Sequence, residues 1–321
     1  MRRRDFFCVV GGAAALPLAA HAQQPAGRVW RIGFLGATPP TPAMVSALRD
    51  SLRERGYLEG QNLTIDIRSL DQNPHVATEL VRSGVDLIVA WTTLAAIAAS
   101  RATKTIPIVM VSVADPVGSG VVAELARPGA NITGVSNMAP ELSAKIVQLL
   151  IEIVPSLKRV GVVRNPKNPS NIASLRETEE AIRALGLQFE VVDAEAAEDF
   201  DSAFARLSAK DAEGVVLLSD PAPLKHRGRI ADLARKTRLP TIFQRRENVQ
   251  AGGLMSYGSD LTEQVRQAVV FVERILKGSR PSELPVEQPT KFVLAINLKT
   301  AKALGIDVAP TLLARADEVI E

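Results

Sequence analysis

Short apolar runs alternate with amphipathic stretches along most of the chain, and this alternation limits the folds that it can adopt. The clearest runs are VWRIGFLG, VDLIVAWT, IPIVMVSV, RVGVVRN, GVVLLSD and KFVLAIN. Two of them, VDLIVAWT and IPIVMVSV, are almost continuously apolar, as strands buried on both faces are. Strands separated by helical stretches indicate parallel sheets with crossover helices. We therefore predict an α/β protein.

Other segments refine this prediction. LTIDIRSL alternates apolar with polar residues, which indicates a strand with one wetter face, at the edge of a sheet. LTEQVRQAVVFVERILKG predicts a long helix that ends at Lys277-Gly278. NLKTAKALG and TLLARADEVIE are expected to form closing helices.

The two halves of the chain resemble each other. IPIVMVSVADPVG ends a predicted strand in Asp115-Pro116, and GVVLLSDPAP ends another in Asp220-Pro221. We predict two Rossmann-like lobes with parallel sheets, joined by three crossings at polar, proline-containing joints. The expected N-terminal lobe spans residues 28–137 plus 258–282, and the C-terminal lobe spans residues 138–257 plus 283–321.

The first 22 residues predict a signal peptide. Three arginines, Arg2 to Arg4, precede the apolar run CVVGGAAALPLAA, which is shorter than the ~20 residues that span a bilayer. Ala20-His21-Ala22 matches a signal-peptidase site, so cleavage is expected after Ala22 and the mature protein in the periplasm. Arg3-Arg4 before Phe6-Phe7 resembles a twin-arginine signal, although the Sec route stays open.

Composition excludes several classes of protein. The chain has 38 Lys+Arg and 35 Asp+Glu, a net charge of +3. The predicted signal carries three Arg and one Asp, or +2, so the mature chain is near +1 and no basic patch predicts nucleic-acid binding. The single cysteine, Cys8, lies in the signal, so the mature chain is expected to have no disulfide.

The sequence offers little for catalysis. The mature chain has two histidines, His75 and His226, which predict no metal site, and it contains neither a G-x-S-x-G elbow nor a P-loop. Gly118-Ser119-Gly120-Val121-Val122-Ala123 fits G-x-G-x-x-A, but four residues separate it from the preceding apolar strand and no acidic residue ends the next strand. We expect no cofactor and no enzyme activity.

Polar residues at strand ends form the candidate ligand site, because ligands of parallel sheets bind beyond the carboxyl ends of the strands. Thr92 and Thr93 would present hydroxyls and the positive end of a helix dipole to an anion, and Asp115 or Asp220 would accept from an amine or hydroxyl. Helix capping is the simpler role for each threonine or aspartate, and core packing for Trp91. The candidate residues are Thr38, Thr41, Trp91, Thr92, Thr93, Asp115, Asn137, Asp220 and Tyr257.

Long stretches of the chain resemble one family of ABC transporter substrate-binding proteins. The C-terminal third, from YGSDLTEQV to LLARADEVIE, matches that family in order and spacing, and VSVADPVGSGVVAELARPGANITGVSN is similar to its middle signature. The RRRDFF leader resembles those of its exported bacterial members. The resemblance implies a type I periplasmic binding fold, in which two lobes joined by a three-stranded hinge close over a solute.

The resemblance also implies a function. We expect a periplasmic receptor that passes a small polar solute, with amino acids among the candidates, to a membrane permease, and that is a monomer or weak dimer. Some relatives bind aromatic amino acids and often hold Gln or His after the first strand, where this chain has Ala37-Thr38-Pro39-Pro40-Thr41. The alternatives are an exported dinucleotide- or sugar-processing enzyme and a ligand sensor for a membrane receptor kinase.

The twin-arginine prediction can be tested by replacing Arg3 and Arg4 with lysine. The double variant should accumulate as precursor in the cytoplasm, because the twin-arginine route reads the arginine pair itself rather than its charge. Cell fractionation measures the location, and mass spectrometry of exported wild-type protein should find Gln23 first. Normal export of the double-lysine variant would contradict the twin-arginine route and leave the Sec route in its place.

Overall fold

A computed structural model describes residues 28–71 and 73–321. The predicted signal peptide, residues 1–22, lies outside the described residues. Within the described ranges, none of the helices has the length and apolarity that crossing a bilayer requires. No group of three or more metal-ligating side chains occurs there either.

The first lobe contains a five-stranded parallel sheet in the order β2-β1-β3-β4-β5. Its strands are β1 Trp30–Gly36, β2 Leu63–Ser69, β3 Leu87–Trp91, β4 Ile108–Val113 and β5 Ile132–Ser136. The two apolar runs form β3 and β4 and are buried throughout. The alternating segment LTIDIRS forms the edge strand β2, as predicted.

Four helices cover this sheet, and one of them comes from far along the chain. They are α1 Pro42–Glu54, α2 Val76–Arg82, α3 Thr93–Ala102 and α10 Leu261–Leu276. Val265, Val269 and Phe271 of α10 lie in one buried cluster with Met44 and Leu48 of α1. Burying side chains of this size contributes ~1.5–3 kcal/mol each, which anchors α10 to the first lobe.

The second lobe contains a seven-stranded sheet in the order β12-β11-β10-β9-β8-β6-β7. Its strands are β6 Arg159–Arg164, β7 Gln188–Asp193, β8 Gly214–Leu217, β9 Thr241–Phe243, β10 Met255–Ser259, β11 Phe292–Asn297 and β12 Glu318–Ile320. The sheet is mixed, because β11 runs antiparallel to β10. The predicted closing helix at the C-terminus is wrong over residues 318–320, which pair with β11 instead.

Helices pack on both faces of the second sheet, in two buried clusters. They are α4 Ala139–Ile153, α5 Ser170–Ala184, α6 Ala197–Ala209, α7 Pro221–Lys225, α8 Arg227–Thr237, α9 Arg246–Gln250, α11 Leu298–Leu304 and α12 Pro310–Leu313. A short 3-10 helix, Pro281–Glu283, precedes the last crossing between the lobes. The prediction of an α/β fold with two sheets is therefore confirmed.

The chain passes between the sheets three times, at residues 137–138, at residue 260 and at residues 288–291. The segment before the last crossing lies along β5: Glu287 N donates to Gly134 O, and Ser136 N donates to Glu287 O, both at 2.9 Å. Gly258 and Ser259, which we predicted in the N-terminal lobe, pair within the second sheet. Glu287, which we predicted in the C-terminal lobe, pairs with Val135 of the first sheet. As domain boundaries, the predicted lobe ranges remain a prediction.

Helix α7 of the second lobe also contacts the first lobe directly. Lys225 Nζ lies 2.8 Å from Asp71 Oδ2, in the loop after β2. Leu224, which is 5% exposed, shares a buried cluster with Trp91 and Leu261 of the first lobe. The structure therefore represents an arrangement in which the two lobes touch across the cleft.

The Lys225–Asp71 ion pair should favour this arrangement modestly. Both side chains are partly exposed, and such pairs contribute about 0.2–1 kcal/mol. We expect Lys225→Met to raise the open fraction by up to about fivefold, with a smaller effect at high salt because screening weakens the wild-type pair.

Single-molecule energy transfer measures this population, with dyes on cysteines introduced at Ala43 and Ser208. Lys236→Met, which changes an exposed lysine of α8, is the matched control. Equal distributions for Lys225→Met and wild type at low salt would show that the ion pair has no part in closure.

Candidate functional site

A small cavity lies where the carboxyl ends of the strands of both sheets meet, which is where ligands of open parallel sheets bind. Its volume is about 30 Å³, room for roughly two water molecules. An amino acid or sugar therefore enters only when the lobes separate. The lining residues are Trp91, Thr92, Thr93, Ser112, Ala114, Asn137, Asn168, Ser219, Asp220, Pro221, Leu224 and Arg245.

The first lobe contributes the N-terminus of α3. Thr92 is its N-cap, and the Thr92 Oγ1 accepts from Ala95 N at 3.5 Å. Thr93 Oγ1 accepts from Ala114 N at 3.2 Å, which leaves its own O–H free to donate and joins α3 to the end of β4. The helix dipole and the free N–H groups at this end favour an anion.

Two residues that line the cavity from the first lobe have strained backbones. Thr92 has φ 85° and ψ 161°, a region that is essentially restricted to glycine and that costs any other residue of order 1–3 kcal/mol. Ser112, also on the wall, has φ 59°. Such residues persist only where the surroundings hold them, and they concentrate at functional sites.

Trp91 belongs to the core and also lines the cavity. It is the last residue of β3, it is 2% exposed, and it belongs to the core cluster of the first lobe. Its ring also packs closely over Gly36, where a Cβ would lie 3.0 Å from Trp91 Cε3. One edge of the residue nevertheless lines the cavity, so Trp91 is a rigid apolar wall fixed by core packing.

Asn137 connects the two lobes. Its Nδ2 contacts Ser112 O at 3.3 Å, Ser112 Oγ at 3.2 Å and Ser219 Oγ of the second lobe at 3.4 Å. Its Oδ1 accepts from Ala139 N at 3.0 Å, at the start of α4. The residue lies in the first crossing and is 3% exposed.

Asp220 is both a helix cap and a cavity residue. Its Oδ1 accepts from Ala222 N at 2.8 Å, at the start of α7. Its Oδ2 accepts from Asn165 Nδ2 at 3.1 Å and from Asn168 Nδ2 at 2.8 Å. Burial raises the pKa of the Asp220 carboxyl, and these three hydrogen bonds act in the opposite direction. Among the described residues Asp220 has no salt-bridge partner.

Arg245 lines the cavity and was not among the residues predicted from the sequence. It follows β9, and its Nη1 donates to Ser259 O at 3.1 Å while its Nη2 donates to Ser112 Oγ across the cleft. Burial lowers the pKa of the guanidinium, and the carboxylates of Glu247 and Asp260 act in the opposite direction. The signal was available: the predicted strand PTIFQ is followed at once by Arg245-Arg246, at the same sheet edge.

Four predicted site residues lie outside the cavity. Thr41 caps α1 by accepting from Met44 N at 3.3 Å, and Asp115 accepts from Gly118 N at 2.8 Å within a turn. The ring of Tyr257 packs 5.9 Å from that of Phe292 on the second sheet. The fourth residue is Thr38, which is buried after β1. A role for these four in binding remains a prediction.

A larger groove, of about 870 Å³, lies beside the second and third crossings. Its charged side chains largely pair with one another, for example Arg246 with Asp260 at 3.0 Å and Arg266 with Glu263 at 3.3 Å. We place the candidate site in the smaller cavity, because the strand ends, a helix N-terminus and two partly buried charges converge there.

Comparison with known proteins agrees with this geometry. The family model described as "ABC transporter substrate binding protein" matches residues 37–320. A curated relative from Clostridioides difficile, named "Tyrosine-binding protein", is 26% identical over 261 residues, which cover 80% of this chain and 74% of the relative.

Two solved structures share the fold closely. A conserved domain protein from Vibrio cholerae is 29% identical with a TM-score of 0.85, and an ABC domain from Streptococcus pneumoniae in complex with L-Trp is 25% identical with a TM-score of 0.84. Each match covers 91% of this chain and 100% of the other. The two-lobe fold, the family resemblance and a binding role in place of an enzymatic one are thereby confirmed. The chain belongs to the family of ABC transporter substrate-binding proteins.

Proposed function

We propose that this chain is the exported receptor of an ABC importer, and that it captures an α-amino acid in the cavity between its lobes. In this proposal the signal peptide directs the chain to the periplasm, through the twin-arginine route, and the closed receptor delivers the solute to a membrane permease. Family membership supports transport, and the relatives named for tyrosine and complexed with L-Trp support an amino acid.

One observation carries the choice of an amino acid: the cavity is lined by one cation and one carboxylate, Arg245 and Asp220, and both side chains are partly buried. Arg245 and Asp220 form no ion pair with each other, and each is held by neutral groups. Buried charges are costly unless they are paired. A zwitterion supplies both missing partners at once, since its carboxylate matches Arg245 and its ammonium matches Asp220.

The carboxylate of the solute would bind between Arg245 of the second lobe and the N-terminus of α3 in the first lobe. Arg245 uses one N–H on Ser259 O and another on Ser112 Oγ, which leaves the rest of its five donors. The Thr93 hydroxyl and the N-terminus of the ten-residue helix α3 add donors and a favourable dipole.

The side chain of the solute would meet an apolar surface. Trp91, Pro221 and Leu224 line the cavity together, and aromatic pairs contribute about 0.5–1.5 kcal/mol beyond area burial. Because the described cavity is too small for a ring, Leu224 and α7 must withdraw when the lobes open. Aromatic amino acids are therefore the first solutes to test.

The dinucleotide alternative has lost its structural basis. Residues 118–123 form turns, and between β4 and β5 the described chain contains no helix whose N-terminus would bind a pyrophosphate. A sensor for a receptor kinase would use the same cavity, and no observation of the structure favours it over transport.

Binding can be tested by thermal shift with the mature protein. L-Tyr, L-Trp or L-Phe at a hundred times its dissociation constant should add ~2.7 kcal/mol to the free energy of unfolding. Tyramine, which lacks the carboxylate, and N-acetyl-L-tyrosine, which lacks the ammonium, should have little effect. Equal shifts with tyramine and L-Tyr would contradict recognition of the zwitterion.

The two charged residues can be tested by calorimetric titration of variants. Asp220→Asn and Arg245→Met should each weaken binding about ten- to a hundredfold, because hydrogen bonds to charged groups contribute ~1.5–3 kcal/mol. Asp307→Asn and Arg235→Met, which change exposed residues outside the cavity, are the matched controls.

The alternative role of Asp220, as the N-cap of α7, predicts a different result. If the carboxylate only caps this helix, Asp220→Ala should lower the free energy of unfolding by about 1 kcal/mol and leave the affinity for the solute unchanged. Unfolding curves recorded beside the titrations, also for Thr93→Ala, separate the two roles.

A further inference from the structure

The sequence NPKNPSN follows β6 and carries three asparagines at intervals of three residues. Asn165, Asn168 and Asn171 are 5%, 3% and 2% exposed. Buried amides of this kind are normally hydrogen-bonded. Each of the three amides donates a hydrogen bond to Ser219 or Asp220. We call this segment, residues 165–171, the asparagine loop.

The backbone of the loop fixes the orientation of two of these amides. Asn165 Oδ1 accepts from Lys167 N at 3.0 Å, and Asn168 Oδ1 accepts from Ser170 N at 3.2 Å and from Ser170 Oγ at 2.8 Å. Since each oxygen is occupied by donors, each NH₂ group must point the other way. Both NH₂ groups point at one atom, Asp220 Oδ2.

The third asparagine fixes the backbone next to that carboxylate. Asn171 Nδ2 donates to Ser219 O at 2.9 Å, and Asn171 Oδ1 accepts from Asn165 N at 2.9 Å. The asparagine loop therefore holds both the main chain before Asp220 and its side chain. Asp220 Oδ1 is bound to α7, so the carboxylate is held from two directions.

We propose that Asn165 and Asn168 are positioning residues that keep the Asp220 carboxylate charged and aimed into the cavity, where it receives the ammonium group of the solute. The proposal rests on the amino-acid function proposed above. A carboxylate accepts about four hydrogen bonds and Asp220 accepts three from the protein, which leaves a site for one more donor. Hydrogen bonds to the charged form favour it over the neutral form.

The surrounding charges explain why such support is needed. Burial raises the pKa of Asp220, and Glu195 acts in the same direction. Lys167 of the loop lies 2.7 Å from Glu195 and offsets part of its charge. Arg245, after β9, is the other charged residue that lines the cavity with Asp220.

Asn165 is the cleaner residue to change, because it does not itself line the cavity. Asn165→Leu removes one donor to Asp220 while preserving much of the volume, so the carboxyl should protonate about one to two pH units higher. Asn131→Leu is the matched control, since Asn131 Nδ2 donates to Ile106 O at 2.6 Å in the first lobe, away from the cavity. Asn165→Ala serves as the second variant if the leucine variant does not fold.

Two measurements test the proposal on ligand-free and ligand-bound protein. Carbon-13 NMR follows the titration of the Asp220 carboxyl in the ligand-free protein, with the signal assigned through Asp220→Asn. Calorimetry follows the affinity for L-tyrosine against pH. In Asn165→Leu we expect the midpoint of the carboxyl titration and the midpoint of the affinity profile to rise together. In Asn131→Leu both midpoints should keep their wild-type values, even if that substitution lowers the stability of the protein.

The outcomes separate the two proposals. An unchanged carboxyl midpoint in Asn165→Leu would overturn the role of the asparagines, and so would a raised midpoint with an unchanged affinity profile. A raised carboxyl midpoint in a protein that binds no amino acid at any pH would overturn the proposed function and leave the control of charge by Asn165 standing.

Discussion

The hydrogen bonds of one buried amide, that of Asn137, hold the cleft together. Its side chain contacts Ser112 near the end of β4, Ser219 two residues after β8, and Ala139 N in the first turn of α4. Removing a buried partner leaves other polar groups unsatisfied at about 1–3 kcal/mol each. The spacing of the two lobes at the cavity therefore depends on a residue that belongs to the crossing between them.

Two contacts hold the lobes together across the cleft. Leu224 packs in one cluster with Trp91 and Leu261, and Lys225 pairs with Asp71. The second contact is partly exposed and therefore contributes little. Domain closure around a ligand is the usual motion of receptors with this fold.

The charges of the cavity follow the same logic. Asp220 is held by two amides and a backbone N–H, and Arg245 by a carbonyl and a hydroxyl. Neutral partners fix each charge in place without neutralising it. A partly buried cation and anion that are kept apart in this way are the basis of the proposed zwitterionic ligand, and the apolar residues Trp91 and Leu224 line the same cavity.

The sequence by itself determined the order of strands and helices, the edge position of β2, the long helix α10 and the polar residues at strand ends. These follow from local periodicity and from turn residues, which act over a few positions. Residues 318–320 were misassigned because their pairing with β11 is decided by a strand more than twenty residues away in the chain.

Only the tertiary structure decided which strand-end residues meet. Thr92, Asn137 and Asp220 reach the cavity, whereas Asp115, with the same Asp-Pro sequence as Asp220, turns back on Gly118. Arg245 contacts Ser112 across 133 positions, and Asn165 contacts Asp220 across 55. Local sequence does not encode such contacts, because the first exists only where the edges of two sheets meet and the second only after β6 has paired with β8.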